Sequence, residues 1–196
     1  MIRIVFSPRA TNANAPAVFI DRDGVINCKR ANDYVLEWRQ FVFVPGIRQA
    51  LRDLSTLRLP MIVISNQAAV GKGLLQPLVL GEISARLNRT LLSDGVSLNA
   101  CYYCPHRIEE CCDCRKPRSG MLRQAAADFA IDLARSIFIG DSETDVQAAQ
   151  SAGCRPILFG PDVISDLQTQ EWAEHVPVAR TAKDLFEVAE TCLQLT

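Results

Sequence analysis

No apolar run in this sequence approaches the roughly 18 residues needed to span a bilayer, so the chain is not expected to cross a membrane. Neither sign of charge prevails. The 21 Lys and Arg stand against 22 Asp and Glu, and a formal net charge of −1 gives no global pull toward nucleic acid or an anionic membrane. Basic residues interleaved with aromatics, the footprint of a nucleic-acid groove, are missing. Internal repeats, low-complexity tracts and a convincing linker are missing too. The first 14 residues lack a continuous apolar core ahead of Asn12 and Asn14, so residues 1–14 read as a leading extension and not as a signal peptide. These absences predict a cytoplasmic protein with one domain over residues 1–196, long enough to bury a full α/β core.

Cysteine, by contrast, is plentiful but unevenly spread. Of the eight, Cys101, Cys104, Cys111, Cys112 and Cys114 cluster beside His106, one of only two histidines. Such clustering without a secretion signal points to metal before disulfides. Cys28, Cys154 and Cys192 are scattered and read as small buried hydrophobes.

Along the chain, short apolar runs alternate with helical patterns. Val18–Ile20, Met61–Ile64, Leu98–Tyr103, Ser136–Gly140 and Pro156–Gly160 read as strands, with Val176–Val178 as a short edge strand. Helices are predicted from Pro45-Gly46-Ile47 through Leu54, and over Pro77–Leu92, Met121–Phe129, Thr144–Ser151 and Ala182–Leu193. This alternation predicts a parallel sheet covered on both faces.

Polar groups sit at four strand ends: Asp21 and Asp23, Ser65 with Asn66, Arg115 with Lys116, and Asp141 with Asp145. Asp21-Arg22-Asp23-Gly24 alone would equally suit an acidic turn. Parallel strands, however, bring all four ends to one sheet edge, where ligands of open α/β sheets bind. Three carboxylates converging there call for a hard cation, and oxygen ligands with retained waters suit Mg²⁺. A hydroxyl, an amide and an ammonium beside them suit a phosphoryl group. A lone Lys116 would read as a solvated surface charge; its place between the cysteines and Pro117 reverses that.

The cysteine cluster offers a Cys-x-His pair and a Cys-x-Cys pair five residues apart. Three thiolates and one imidazole make a closed tetrahedral Zn²⁺ site of the structural kind, within a zinc loop over residues 101–117. The expected ligands are Cys104, His106, Cys112 and Cys114, with Cys111 a competitor and Cys101 a spare. The loop's tail is Arg115-Lys116-Pro117, so the metal would aim the lysine.

The motifs Asp21-Arg22-Asp23-Gly24-Val25-Ile26-Asn27, Ile64-Ser65-Asn66-Gln67, Lys116-Pro117 and Gly140-Asp141-Ser142-Glu143-Thr144-Asp145 resemble, in order, those of the haloacid dehalogenase (HAD) superfamily. The resemblance implies a Rossmann-like HAD fold, with Asp21 as nucleophile and Asp23 as general acid. It implies Ser65 and Lys116 on the phosphoryl oxygens, and Mg²⁺ on Asp21, Asp141 and the main-chain carbonyl of Asp23, with Asp145 in support. An Asp at position 23 favours phosphoester hydrolysis over dehalogenation. Asn27–Pro45 and Lys116–Phe138 are too short for a cap domain, so water would reach the site. With its zinc loop the chain resembles the capless, zinc-containing HAD phosphatases that act on heptose bisphosphate or histidinol phosphate. Tyr102-Tyr103-Cys104-Pro105-His106 and the run Cys112–Leu122 favour the heptose branch, while the short spacer after His106 is of the histidinol kind. A non-catalytic HAD-like binding module would show damaged motifs, and these are intact. The expectation is a Mg²⁺-dependent phosphatase acting as a monomer on a small phosphorylated sugar. Asn66 and Arg115 join its substrate-binding residues, and Lys29, Arg30 and Arg115 are candidates for a second, distal phosphate.

Overall fold

The computed structural model describes residues 1–7, 14–30, 34–160, 171–173 and 175–194. Seven strands form one sheet in the order β1-β4-β3-β2-β5-β6-β7: β1 is Ile2–Val5, β2 Val18–Ile20, β3 Met61–Asn66, β4 Ala100–Cys104, β5 Ile137–Gly140, β6 Arg155–Phe159 and β7 Val178–Ala179. All neighbours pair in parallel except β1, which runs antiparallel to β4. Apart from the edges and the mouth of β6, the strands are buried along nearly their whole length. Such unbroken apolar runs mark strands covered on both faces.

The six helices are α1 (Ile47–Ser55), α2 (Ala68–Gly71), α3 (Pro77–Ser93), α4 (Gly120–Phe129), α5 (Glu143–Ala152) and α6 (Leu185–Gln194) among the described residues. The period-2 alternation of the strands divides the core between them. Val18, Ile20, Val63 and Ile139 face the layer of α1, α3 and α6, whereas Phe19, Ile62, Ile64 and Phe138 face α4 and α5. Local chemistry fixes the helix ends. Pro77 opens α3, and Ser142 with Asp145 forms a capping box at the start of α5, which Gly153 closes in the left-handed conformation.

The leading segment departs from expectation. Ile2–Val5 is an edge strand, and Ile2, Ile4 and Phe6 pack against the core. Its alternation spans only four residues, too few to register beside the polar stretch that follows. The segment that carries the distal-phosphate candidates Lys29 and Arg30 is described only as far as Arg30; residues 31–33 lie outside the described residues. Beyond it, one turn at Trp38–Gln40 and a cluster of Trp38, Phe41 and Phe43 rings lead into α1. Cys154 and Cys192 are buried as expected, while Cys28 is only partly so.

Candidate active site

Strand β2 lies between β3 and β5, where the connections depart to opposite sides, so a crevice opens beyond its carboxyl end. Asp21 and Asp23 follow β2, Ser65 and Asn66 end β3, Asp141 follows β5, and Asp145 lies in the first turn of α5. The tail of the cysteine loop reaches across and brings Lys116 into the same crevice.

Lys116 is 3% exposed. Its Nζ lies 2.9 Å from Asp21 Oδ1 and 2.5 Å from Asp145 Oδ1, and donates to the Ile64 carbonyl at 3.2 Å. Its backbone is pinned as well. The Lys116 N–H donates to Asn66 Oδ1 at 3.1 Å, and Asn66 Nδ2 donates to the Lys116 carbonyl at 3.2 Å. The Asn66 amide, expected on substrate, is thus engaged in holding the lysine. The Lys116–Pro117 peptide bond is cis.

One ammonium serves several acids, and the electrostatics are unequal in consequence. Burial pushes the Asp21 carboxyl up to about 7; Lys116 pulls it down, and Asp145, Asp141 and Asp23 push it further up. Burial opposes the charge on Lys116 too, but the two carboxylates beside it outweigh that and hold its pKa well above the usual lysine range.

Asp23 faces a different set of partners. Arg22 Nη2 donates to Oδ1 at 3.0 Å and to Oδ2 at 2.9 Å. Asn27 Nδ2 donates to Oδ1 at 2.9 Å, and Gln67 Nε2 to Oδ2 at 2.7 Å. Burial raises its pKa, but the Arg22 charge and these hydrogen bonds prevail and hold it below the usual carboxylate range. Gln67 also donates to Ser65 Oγ at 3.1 Å, linking Asp23 to the buried hydroxyl of β3. Sequence reading named Gln67, Asn27 and Arg22 only as members of motifs. Their joint hold on Asp23 spans up to 44 positions and leaves no periodic signal.

Carboxylate oxygens of Asp21, Asp141 and Asp145 lie within 4.8 Å of one another. Asp145 is committed elsewhere, with Oδ1 on Lys116 and Oδ2 accepting from the backbone N–H groups of Asp141 and Ser142 and from the Ser142 hydroxyl. Asp141 Oδ1 is buried without a hydrogen-bond partner among the described residues, while Oδ2 pairs with Lys29 Nζ at 2.5 Å. A buried carboxylate oxygen without a donor is costly, and a hard cation between Asp21 and Asp141 is the group that would relieve it. The donor set fits Mg²⁺. Lys29 therefore sits at the acids, paired with Asp141. Asp23 could reach a cation only through its main-chain carbonyl, because Arg22, Asn27 and Gln67 hold its side chain.

Gly24 leaves room for this arrangement. Its φ is +101°, and a Cβ there would lie 1.9 Å from Asp141 Oδ2. Gly24→Ala is expected to cost more than about 1 kcal/mol of stability, from left-handed strain plus displacement of Asp141. Urea unfolding measures it; an unchanged midpoint would contradict the packing.

The cysteine loop brings together the four expected groups. Cys104 Sγ lies 3.6 Å from His106 Nδ1 and 3.5 Å from Cys112 Sγ, and Cys114 Sγ lies 3.5 Å from Cys112 Sγ and 3.3 Å from His106 Nδ1. A tetrahedral Zn²⁺ with ordinary bond lengths separates such ligands by about 3.5–3.8 Å, so the quartet fits that ion. Cys111 is exposed with its thiol turned to the Ile108 carbonyl, and Cys101 is buried in the core; neither joins the quartet. Arg115 donates to the His106 carbonyl at 3.2 Å. With Asn66, Lys116, Thr144 and loop residues including Ile108 and Cys111, it lines a cavity of about 320 Å³ beside the crevice.

Comparison with known proteins follows the same lines. Residues 113–187 match the HAD-hydrolase-like family. The chain is 36% identical over 141 residues to the D-glycero-beta-D-manno-heptose-1,7-bisphosphate 7-phosphatase of Pseudomonas aeruginosa, covering 72% of this chain and 79% of that one. It is also 36% identical over 149 residues to the D-glycero-alpha-D-manno-heptose-1,7-bisphosphate 7-phosphatase of Mycobacterium tuberculosis, covering 73% and 78%. Among solved structures, a D,D-heptose 1,7-bisphosphate phosphatase from B. bronchiseptica complexed with magnesium and phosphate matches with a TM-score of 0.81 and 32% identity, over 92% of this chain and 99% of that one. No helix among the described residues is long and apolar enough to cross a membrane.

Proposed function

Since this chain belongs to the HAD-like phosphatases, we propose that it is a Mg²⁺-dependent phosphatase of a small phosphorylated sugar, acting at the 7-phosphate of D-glycero-D-manno-heptose 1,7-bisphosphate. The observation that carries the reading is the meeting of Asp21, Lys116 and Asp141 in one buried crevice, with Asp23 two residues from Asp21 but held by separate partners.

Asp21 is the nucleophile. A carboxylate oxygen attacks phosphorus, the bond from phosphorus to the sugar oxygen breaks, and Asp23, which takes up a proton as the negatively charged phosphoryl group enters beside it, gives that oxygen the proton. Water then attacks the aspartyl-phosphate while Asp23 takes its proton, and the bond to Asp21 breaks to release inorganic phosphate. Splitting hydrolysis this way replaces one hard displacement by two easier ones. Lys116 and Ser65 hold phosphoryl oxygens, with Asn66 fixing the backbone of Lys116. Asp21, Asp141 and the Asp23 carbonyl would hold Mg²⁺, which would supply charge neutralisation at the phosphoryl oxygens. Cys104, His106, Cys112 and Cys114 would hold a structural Zn²⁺, which would fix the loop that ends in Arg115 and Lys116. Arg115 lines the cavity beside the crevice, the space this reading assigns to the rest of the sugar and its second phosphate.

The test is phosphate release with Mg²⁺ from both anomers of heptose 1,7-bisphosphate, fructose 1,6-bisphosphate and histidinol phosphate. Relatives with similar identity bear names for both anomers, so both belong in the panel. The expected outcome is a kcat/KM for one heptose anomer above the non-heptose compounds by about 100-fold or more. A preference for histidinol phosphate, the compound favoured by the short spacer between His106 and Cys112, would overturn the substrate and leave the mechanism standing.

A further inference from the structure

Arg22 is the largest of the fully buried side chains, at 1% exposed, and the reaction as described gives it nothing to do. Its Nε and Nη1 have no hydrogen-bond partner among the described residues. The guanidinium instead stands over the ring of Tyr103, 5.9 Å from its centroid, and the Tyr103 hydroxyl pairs with Ser84 of α3 at 2.9 Å. A buried guanidinium with two of three nitrogens unpaired is unfavourable, and a buried ion pair replaced as a whole by apolar side chains is often neutral or stabilising. Stability therefore does not account for it. Its polar contacts are the two oxygens of Asp23.

Those two contacts belong to a complete cradle. Oδ1 accepts from Arg22 and Asn27, and Oδ2 accepts from Arg22 and Gln67. Donors on both oxygens fix the plane of the carboxylate and the direction of its remaining lone pairs. Proton transfer needs such alignment, because a group must lie within hydrogen-bond reach of the proton it moves.

We propose that Arg22, with Gln67 and Asn27, is a positioning residue: it acts through Asp23 and aims that carboxylate at the leaving oxygen and then at the attacking water. The proposal rests on the assignment of Asp23 as the acid and base. It makes Arg22 selective for steps that move a proton and indifferent to the attack by Asp21.

The leaving group separates these steps. p-Nitrophenolate departs from phosphorus without a proton, so aspartyl-phosphate formation from p-nitrophenyl phosphate does not need Asp23, whereas its hydrolysis does. Stopped-flow measurements on Arg22→Met, Arg22→Lys and Gln67→Met are expected to show a nitrophenolate burst of one equivalent per chain. Its rate stays within about threefold of the wild-type formation rate, while steady-state turnover falls by about 30-fold or more for Arg22→Met. With the sugar phosphate, whose alkoxide needs the proton, formation itself falls by a similar factor. Arg22→Lys restores the charge but not the planar guanidinium that stands over Tyr103, so it recovers only part of the loss. Arg22→Met leaves the Asp23 carboxylate without its charged partner and is expected to melt lower than the wild type, so the retained burst and not the melt carries the test. Burst and steady state falling together with the melting temperature would make Arg22 merely structural, and unchanged kinetics would remove its role altogether. If Arg22→Met does not fold, the burst pattern in Arg22→Lys and Gln67→Met decides the matter in the same way. Asp23→Asn in the same assay keeps the two assignments apart. Its wild-type behaviour would refute the role of Asp23, whereas a retained burst in Asp23→Asn beside unaltered Arg22 variants would refute only the present proposal.

Discussion

Asp21→Asn is expected to lower phosphate release by on the order of 10⁴-fold or more while the protein stays folded. An amide cannot form the phosphorus–oxygen bond that starts the reaction, and nothing nearby replaces it. Asp23 is engaged on both oxygens by Arg22, Asn27 and Gln67, and Asp145 is committed to Lys116 and to the start of α5. Stability should hold or rise. Asp21 is a buried acid among Asp141 and Asp145, and burial already works against its charge. Removing that charge relieves repulsion, and Lys116 keeps Asp145 at 2.5 Å and the Ile64 carbonyl at 3.2 Å. Destabilisation of an active site by its own functional groups is a recurrent trade-off. The check is phosphate release beside urea unfolding of both proteins. Residual activity above about 1% of the wild type, in a preparation free of Asp21, would refute the nucleophile.

What the sequence reveals depends on how local the chemistry is. The cysteine–histidine quartet falls within eleven consecutive positions, so spacing points to Cys104, His106, Cys112 and Cys114 but leaves Cys111 a competitor and Cys101 a spare until the direction of their thiols is seen. Asp21 and Asp141 are legible for another reason: each follows a buried apolar run, and a parallel sheet must gather such ends at one edge. Contacts that depend on side-chain direction across the fold escape. Asn66 has the right chemistry for a phosphoryl group, yet its amide closes on the backbone of Lys116, fifty positions away. Lys29, read as a candidate for a distal phosphate, pairs with Asp141 through a loop whose path no periodicity describes. The edge strand Ile2–Val5 escapes because four alternating residues carry too little pattern to stand out. The buried Arg22 escapes because a charge inside a motif reads as part of the motif.

The cysteine loop should be the second most sensitive place in the molecule. One zinc per chain is expected in purified protein, and Cys112→Ser or Cys114→Ser should lose it, together with most of the activity and on the order of 10 °C of melting temperature, corresponding to about 4 kcal/mol for a chain this long. The argument runs from the quartet to the lysine. Cys114 precedes Arg115 and Lys116 directly, so the thiol that anchors the loop also anchors the ammonium that pairs with Asp21. The loop has few other ties. Gly71 donates its N–H to the Pro105 carbonyl at 2.8 Å, and a Cβ on Gly71 would come within 2.5 Å of that oxygen, so the two backbones meet closely. Arg118 bonds the Cys111 carbonyl and the Asp113 carboxylate, and Gly120 lets Asp113 approach the start of α4. Each of these contacts depends on a loop shape that residues 105–113, with no strand and only one short turn, do not hold by themselves. Losing the metal frees the loop, and Lys116 then has only Asn66 to fix its backbone. Metal analysis, melting curves and phosphate release on the same preparations test this, with Cys111→Ser as the control that keeps its zinc because its thiol lies outside the quartet. A zinc-free Cys114→Ser protein that melts and turns over like the wild type would show that the loop holds its shape, and Lys116 its aim, without a metal.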